Sequence, residues 1–115
     1  MASDCLFCKM IQGEIPCKKA FENDHVLAFH DIRPQAPVHV LIIPKQHFSS
    51  VADITEKQAK IISELFLTAN QLARELKVDQ TGYRLVVNHG SEAGQTVFHL
   101  HVHLLGGRAM HWPPG

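Results

Sequence analysis

Net charge is what this 115-residue sequence lacks, since 11 Lys and Arg are offset by 11 Asp and Glu and no basic cluster occurs along the chain. Binding to nucleic acid or to an anionic membrane needs many phosphate-facing cations, so neither partner is expected. A phosphate-bearing ligand would be a small one. Long apolar runs are missing too: Val40-Leu41-Ile42-Ile43 is the longest aliphatic stretch, against the roughly 20 residues a transmembrane helix requires. The first residues, Met1 to Cys5, carry neither the basic region nor the apolar core of a secretory signal. The expected location is the cytoplasm, with the nucleus in addition for a eukaryotic source. Cysteine is scarce, at three residues. In a reducing compartment Cys5, Cys8 and Cys17 form no disulfide framework, which leaves Cys5-x-x-Cys8 as a metal or redox pair and Cys17 as incidental. No repeat, linker or low-complexity stretch divides the chain, so one domain over residues 1–115 is expected, with enough sequence to bury a core.

Hydrophobic spacing supplies the elements. Leu6, Phe7, Met10 and Ile11, with Ser3 or Asp4 as cap and Gly13 just beyond, predict a short helix. Ala20 to Glu22 and Val26 to His30 flank the turn pair Asn23-Asp24 as a hairpin. Val38 to Ile43, nearly all β-branched or aliphatic and stopped by Pro44, predicts a central strand covered on both faces. Thr55 and Gln58 form a capping box, and Ile62, Leu65, Phe66, Ala69, Leu72, Ala73 and Leu76 define one apolar helical face ending near Lys77. Tyr83 to Asn88 and Val97 to Leu105 complete about five strands. The predicted class is α+β, a mainly antiparallel five-stranded sheet with two helices.

What the chain has in excess is histidine, nine residues. In Phe98-His99-Leu100-His101-Val102-His103-Leu104-Leu105, a period of two sends Leu100, Val102 and Leu104 to one face and the three histidines to the other. Such a row has three readings: a solvated strand face, a three-histidine catalytic zinc site, or a neutral imidazole nucleophile forming a covalent intermediate. Gly94-Gln95-Thr96 just before it offers amide, hydroxyl and backbone donors without net charge, a compact phosphate cradle. That neighbour favours an imidazole acting on phosphorus. The ordinary pKa of His, about 6.5, suits a neutral nucleophile near pH 7 with a neighbouring imidazolium as proton donor.

The run His99-Leu100-His101-Val102-His103-Leu104-Leu105 resembles the signature of the histidine triad (HIT) superfamily of nucleotide hydrolases and transferases. Phe29-His30-Asp31-Ile32, Pro34-Gln35-Ala36-Pro37, Val86-Val87-Asn88, Gly94-Gln95-Thr96 and the tail from Gly106 to Gly115 are similar to its Hint branch, the histidine triad nucleotide-binding proteins, over essentially the whole chain. The resemblance implies that His101 is the nucleophile on the α-phosphorus of a purine nucleotide conjugate. His103, the Gly94-Gln95-Thr96 backbone and the Thr96 hydroxyl would hold the phosphate oxygens beside Asn88, and Asp31 would accept the ribose hydroxyls. Phe7, Met10, Phe29 and Ile32 would sandwich the base, and His39 would relay a proton. Thr96 stands where Ser is usual in the family; the hydroxyl is kept on a stiffer, β-branched side chain.

By the same resemblance Cys5 and Cys8, completed by His47 of Pro44-Lys45-Gln46-His47 and by His99, form a structural zinc shell, closed because no position is left for an activated water. The implied assembly is a homodimer whose sheets join into one continuous surface, with Met110 and Trp112 as anchors at the interface. The implied activity is release of AMP or GMP from P–N-linked substrates. The alternatives are hydrolysis of dinucleoside polyphosphates, nucleotidyl transfer, or a nucleotide-binding regulatory role.

Overall fold

The computed structural model describes residues 4–115. Helix α1 spans Leu6–Ile11, β1 Lys19–Glu22, β2 Val26–His30, β3 Val38–Pro44, α2 Ala59–Glu75, β4 Tyr83–Val86 and β5 Val102–Gly106. All pairings are antiparallel and the strand order is β1-β2-β3-β5-β4, which puts β3 at the centre. The α+β expectation therefore holds.

Strand β3 is covered on both faces, as its nearly continuous apolar run predicts. Val40 and Ile42 join Val26, Ala28, Val102 and Leu104 in a core against Leu65, Ala69 and Leu72 of α2. Leu41 and Ile43 face the other way, into a smaller cluster with Leu27, Phe29 and Phe7 of α1. One side of the sheet thus carries the long helix and the main core. The other carries only a short helix, which leaves room beside it for polar side chains.

Local chemistry explains the helix ends. Cys5, rather than Asp4, caps α1, its sulfur accepting from the Cys8 N–H at 3.4 Å; Ser3 lies outside the described residues. Gly13 takes the left-handed conformation that ends the helix (φ 80°). The Thr55–Gln58 capping box is present, but it opens a 3₁₀ turn over Glu56–Gln58 that leads into α2. Leu65, Ala69, Leu72 and Ala73 of the expected apolar face are buried, whereas Phe66 is 40% exposed. Helix α2 closes at Glu75, and Lys77 departs from helical geometry with φ 62°.

Two strands are shorter than expected. Strand β4 ends at Val86, so Asn88 lies beyond it. Strand β5 begins at Val102 rather than Val97, so His99 and His101 precede the ladder and only His103 lies within it. The cause is the end of the neighbouring strand: β3 stops at Pro44, which has no N–H to donate. The Pro44 carbonyl is within 2.8 Å of the His99 imidazole, and Leu100 N–H turns to the Phe48 carbonyl at 2.7 Å. Inward alternation nevertheless survives, with Leu100, Val102 and Leu104 all buried in the main core.

At the far end of β5, Gly106 sits against Val78, where an added Cβ would lie 2.8 Å from the Val78 Cβ. Gly106→Ala is expected to lower stability by about 1–3 kcal/mol, measured by urea unfolding. Val78→Ala in the same chain should restore much of the loss. Equal stability of Gly106→Ala and the parent would refute the close approach.

Candidate functional site

The open side of the sheet gathers four histidines. His39 on β3 and His103 on β5 share that face, with His39 Nε2 2.9 Å from His103 Nδ1. The His101 and His103 ring centroids are 5.0 Å apart. Phe7 of α1 meets His101 edge-on at 5.3 Å and Phe29 at 5.3 Å.

Backbone partners settle which ring nitrogen carries each proton. His101 Nδ1 lies 2.6 Å from the His99 carbonyl; a carbonyl only accepts, so Nδ1 carries the hydrogen and Nε2 of the neutral ring holds a lone pair. Gln35 N–H donates to His39 Nδ1 at 3.0 Å, so neutral His39 is protonated on Nε2 and donates to His103 Nδ1. His103 in turn keeps its hydrogen on Nε2. The chain Gln35, His39, His103 thus ends in an N–H donor on the ring next to His101.

Burial sets the charge of this chain. It pushes His103 down to about 4, with His101 and His39 adding like-charge repulsion, and it lowers His39 against the opposing pull of Asp31. The Asp31 carboxylate is 3.4 Å from His39 Nε2, so near pH 7 it faces a neutral ring. The expectation of an imidazolium neighbour to His101 is corrected: in the unliganded protein the donors are neutral imidazoles, because burial costs the charged form more than one partly exposed carboxylate returns.

A cavity of about 230 Å³ opens beside these histidines. Its walls include Phe7, Met10, Phe29, Asp31, Ile32, Thr96, His101 and His103, so most of the residues that the resemblance implies are brought together. Ile32 stands at the rim, 92% exposed. Leu6, Pro16, Cys17, Lys18, His30, Leu41 and Val97 also line it. Cys17, incidental by sequence, is among them, and no local signal marks it; the β1–β2 pairing with Lys19 opposite Phe29 brings this stretch of chain to the cavity.

The phosphate cradle is smaller than expected. Gln95 is buried, its amide Nε2 donating to the Ser49 and Val97 carbonyls and its Oε1 accepting from Gly90 N–H. Its backbone N–H bonds the Gly90 carbonyl at 3.1 Å. Gln95 is therefore a clamp on its own loop, and Gly94, at φ 84°, supplies the left-handed turn into it. Neither residue lines the cavity, nor does Asn88; Thr96 does.

On the flank of His101, Cys5, Cys8, His47 and His99 place one donor atom each within 4.8 Å of the others. Cys5 Sγ and Cys8 Sγ are 3.3 and 3.5 Å from His99 Nδ1, Cys8 Sγ is 3.3 Å from His47 Nδ1, and the two Nδ1 atoms are 3.1 Å apart. Tetrahedral zinc with ordinary bond lengths separates S from N by about 3.6 Å and N from N by about 3.3 Å, so the cluster fits that ion. The second shell agrees: His99 Nε2 donates to the Pro44 carbonyl at 2.8 Å, which aims the Nδ1 lone pair into the cluster. Burial and the neighbouring Cys5 raise the Cys8 thiol to about 11, so a metal entering at neutral pH must displace protons.

Antiparallel sheet, alternate imidazoles and apolar cavity together define a histidine-triad protein. The chain belongs to the HIT domain family, whose model matches residues 12–110. It is 45% identical to a 14 kDa zinc-binding protein of Brassica juncea over 97% of this chain and 100% of that one. The structure superposes on a HIT family hydrolase from Legionella pneumophila with a TM-score of 0.96 and 50% identity, covering 97% of this chain and 100% of that one. A histidine triad nucleotide-binding protein from Candida albicans gives a TM-score of 0.82 at 36% identity, over 96% and 83% of the two chains. No helix among the described residues is long and apolar enough to cross a membrane.

The pKa of His103 yields a prediction. A histidine whose folded pKa is depressed to about 4 binds fewer protons folded than unfolded between pH 6.5 and 4, so stability falls as pH drops through that window. His103→Gln should flatten the decline in urea midpoint between pH 6.5 and 4 relative to the parent. Parallel pH profiles for the two proteins would contradict the depressed value.

Proposed function

We propose that the chain is a nucleoside phosphoramidase-type hydrolase of the Hint branch, acting in the cytoplasm on purine nucleotides linked through a P–N bond. The observation that carries this reading is the 2.6 Å contact between His101 Nδ1 and the His99 carbonyl, which leaves Nε2 as a lone pair beside an apolar cavity with a carboxylate at its rim. The bridging nitrogen of the substrate takes a proton from solvent, His101 Nε2 attacks the α-phosphorus, the P–N bond breaks, and the nitrogen departs as the neutral amine. The His99 carbonyl, already accepting from Nδ1, stabilises the cationic phosphorylated ring. Water then cleaves the nucleotidyl-histidine bond and releases AMP or GMP.

The other residues position and neutralise. His103 Nε2–H, held by His39, and the Thr96 hydroxyl donate to phosphate oxygens, which gain charge in the transition state. Asp31 accepts the ribose hydroxyls while Phe7, Met10, Phe29 and Ile32 enclose the base. Zinc held by Cys5, Cys8, His47 and His99 would contribute structure, with all four positions taken by protein. In this reading the protein is a homodimer, and Trp112 is the residue to be covered by the partner, because at 82% exposure it is not packed on its own subunit.

Two measurements test this. The parent should release AMP from adenosine 5′-phosphoramidate, and His101→Ala should reduce kcat by at least about a thousandfold, as loss of a nucleophile does; equal rates would end the enzymatic reading. Native mass spectrometry should record two chains of 12.9 kDa carrying one zinc each. A monomer would remove the dimer, and metal-free chains after growth with zinc would remove the metal.

A further inference from the structure

A second group of metal-ligand residues adjoins the first. Asp31, His39 and His103 each bring one donor atom within 4.8 Å of the others, as Cys5, Cys8, His47 and His99 do. His39 Nε2 is 3.4 Å from Asp31 Oδ2 and 2.9 Å from His103 Nδ1, close to the edges of about 3.0–3.4 Å that imidazole and carboxylate donors span around a first-row divalent ion. On spacing and residue type alone, both groups would take zinc.

The two groups differ in what the outward ring nitrogen meets. In the cysteine cluster, His99 Nε2 meets the Pro44 carbonyl at 2.8 Å; a carbonyl only accepts, so the hydrogen stays outside and the Nδ1 lone pair faces the sulfurs. In the second group, His39 Nδ1 meets Gln35 N–H at 3.0 Å. An N–H only donates, so the ring hydrogen is forced onto Nε2, on the side of His103 and Asp31. That hydrogen stands where a cation would have to bind. His103 Nδ1, which accepts it, and the Asp31 carboxylate already present lone pairs; the His39 tautomer is the bar.

The Gln35 amide is itself held in place. Arg108 Nε donates to the Gln35 carbonyl at 2.8 Å, the Gln35 side-chain amide donates to the Arg33 carbonyl at 3.1 Å, and Arg33 N–H donates to Asp31 Oδ1 at 2.8 Å. Gly107, beside Arg108, packs so closely on Pro37 that an added Cβ would lie 3.0 Å from the Pro37 Cβ. The loop from Asp31 to Pro37 is thus tied to the segment that follows β5.

We propose that Gln35 N–H, positioned by Arg108, excludes divalent metal from the catalytic face: it fixes His39 as an Nε2–H donor, so that Asp31, His39 and His103 carry a proton while zinc is confined to the cysteine cluster. An ion on His39 Nε2 would move the ring hydrogen to Nδ1, where it opposes the Gln35 hydrogen. One lost hydrogen bond and two opposed donors weaken such a site at least about tenfold. A cation there would also cover Asp31 and displace the hydrogen that His39 gives to His103, two groups the proposed hydrolase uses. The exclusion itself does not depend on which bond the protein cleaves.

The test removes the N–H and measures zinc. An ester in place of the Pro34–Gln35 amide deletes that one hydrogen and keeps every side chain, and Arg108→Ala loosens the loop with natural residues. Zinc chloride is titrated into each protein near neutral pH, followed by calorimetry and native mass spectrometry, and the second site is read as the zinc that an added Asp31→Asn removes. The ester protein is expected to bind this zinc at least about tenfold more tightly than the parent, and Arg108→Ala to change in the same direction by a smaller factor. Nitrogen-15 NMR of the imidazoles should place the parent His39 hydrogen on Nε2, and move it to Nδ1 in the zinc-loaded ester protein. Equal affinity of the parent and ester proteins for this zinc, or an Nδ1–H tautomer of His39 in the parent, would overturn the proposal. Arg108→Ala indistinguishable from the parent in zinc binding and in His39 tautomer would overturn the part given to Arg108. The thermal midpoint of Arg108→Ala, expected within a few degrees of the parent, separates positioning from a folding defect.

Discussion

Everything at the site depends on how His99 is held. Three of its polar groups serve three partners: the ring Nε2 donates to the Pro44 carbonyl, the ring Nδ1 faces the two cysteine sulfurs and His47, and the main-chain carbonyl accepts from His101. A carbonyl within a strand ladder would be committed to a neighbouring backbone. Because β3 ends at Pro44 and β5 starts only at Val102, this one is free to fix the His101 tautomer. The metal-type cluster and the His101 imidazole are thereby joined through a single residue, and whatever orders the cluster orders the proposed nucleophile.

Neutrality is the second organising constraint. Buried imidazoles in a row cannot all be charged, since each proton costs desolvation and repels the next. The chain meets this with backbone groups rather than with a buried counter-ion: a carbonyl for His101, an N–H for His39. Asp31, partly exposed and beside His39, is left to face solvent and ligand. A zero net charge and a cavity lined by a single lysine are consistent with holding one small nucleotide through imidazole, hydroxyl and carboxylate groups.

Much of this was legible in the residues. The nearly continuous apolar run from Val38 to Ile43 reads as a strand with both faces covered, and the alternation from Leu100 to Leu104 survives even where the ladder does not. The cysteine spacing and histidine row are equally plain. What misled were residues whose chemistry permits two uses. Gln95 is rich in donors and reads as a phosphate ligand, yet its side chain is taken up by the Gly90 N–H and the Ser49 and Val97 carbonyls. Cys17 carries no pattern, and reaches the cavity through hairpin pairing alone.

The sequence by itself determined the class of fold, the inward and outward faces of its strands, and which residue types were available for chemistry, because periodicity and composition are local properties. The tertiary structure alone decided the state of those residues. Which nitrogen bears a proton, which thiol lies against which imidazole, and whether an amide meets a ligand or a loop depend on groups distant in sequence, such as Pro44 against His99 and Ser49 against Gln95. The lowered pKa of His39, His99 and His103 follows from burial, and burial exists only once the sheet has closed over its helices.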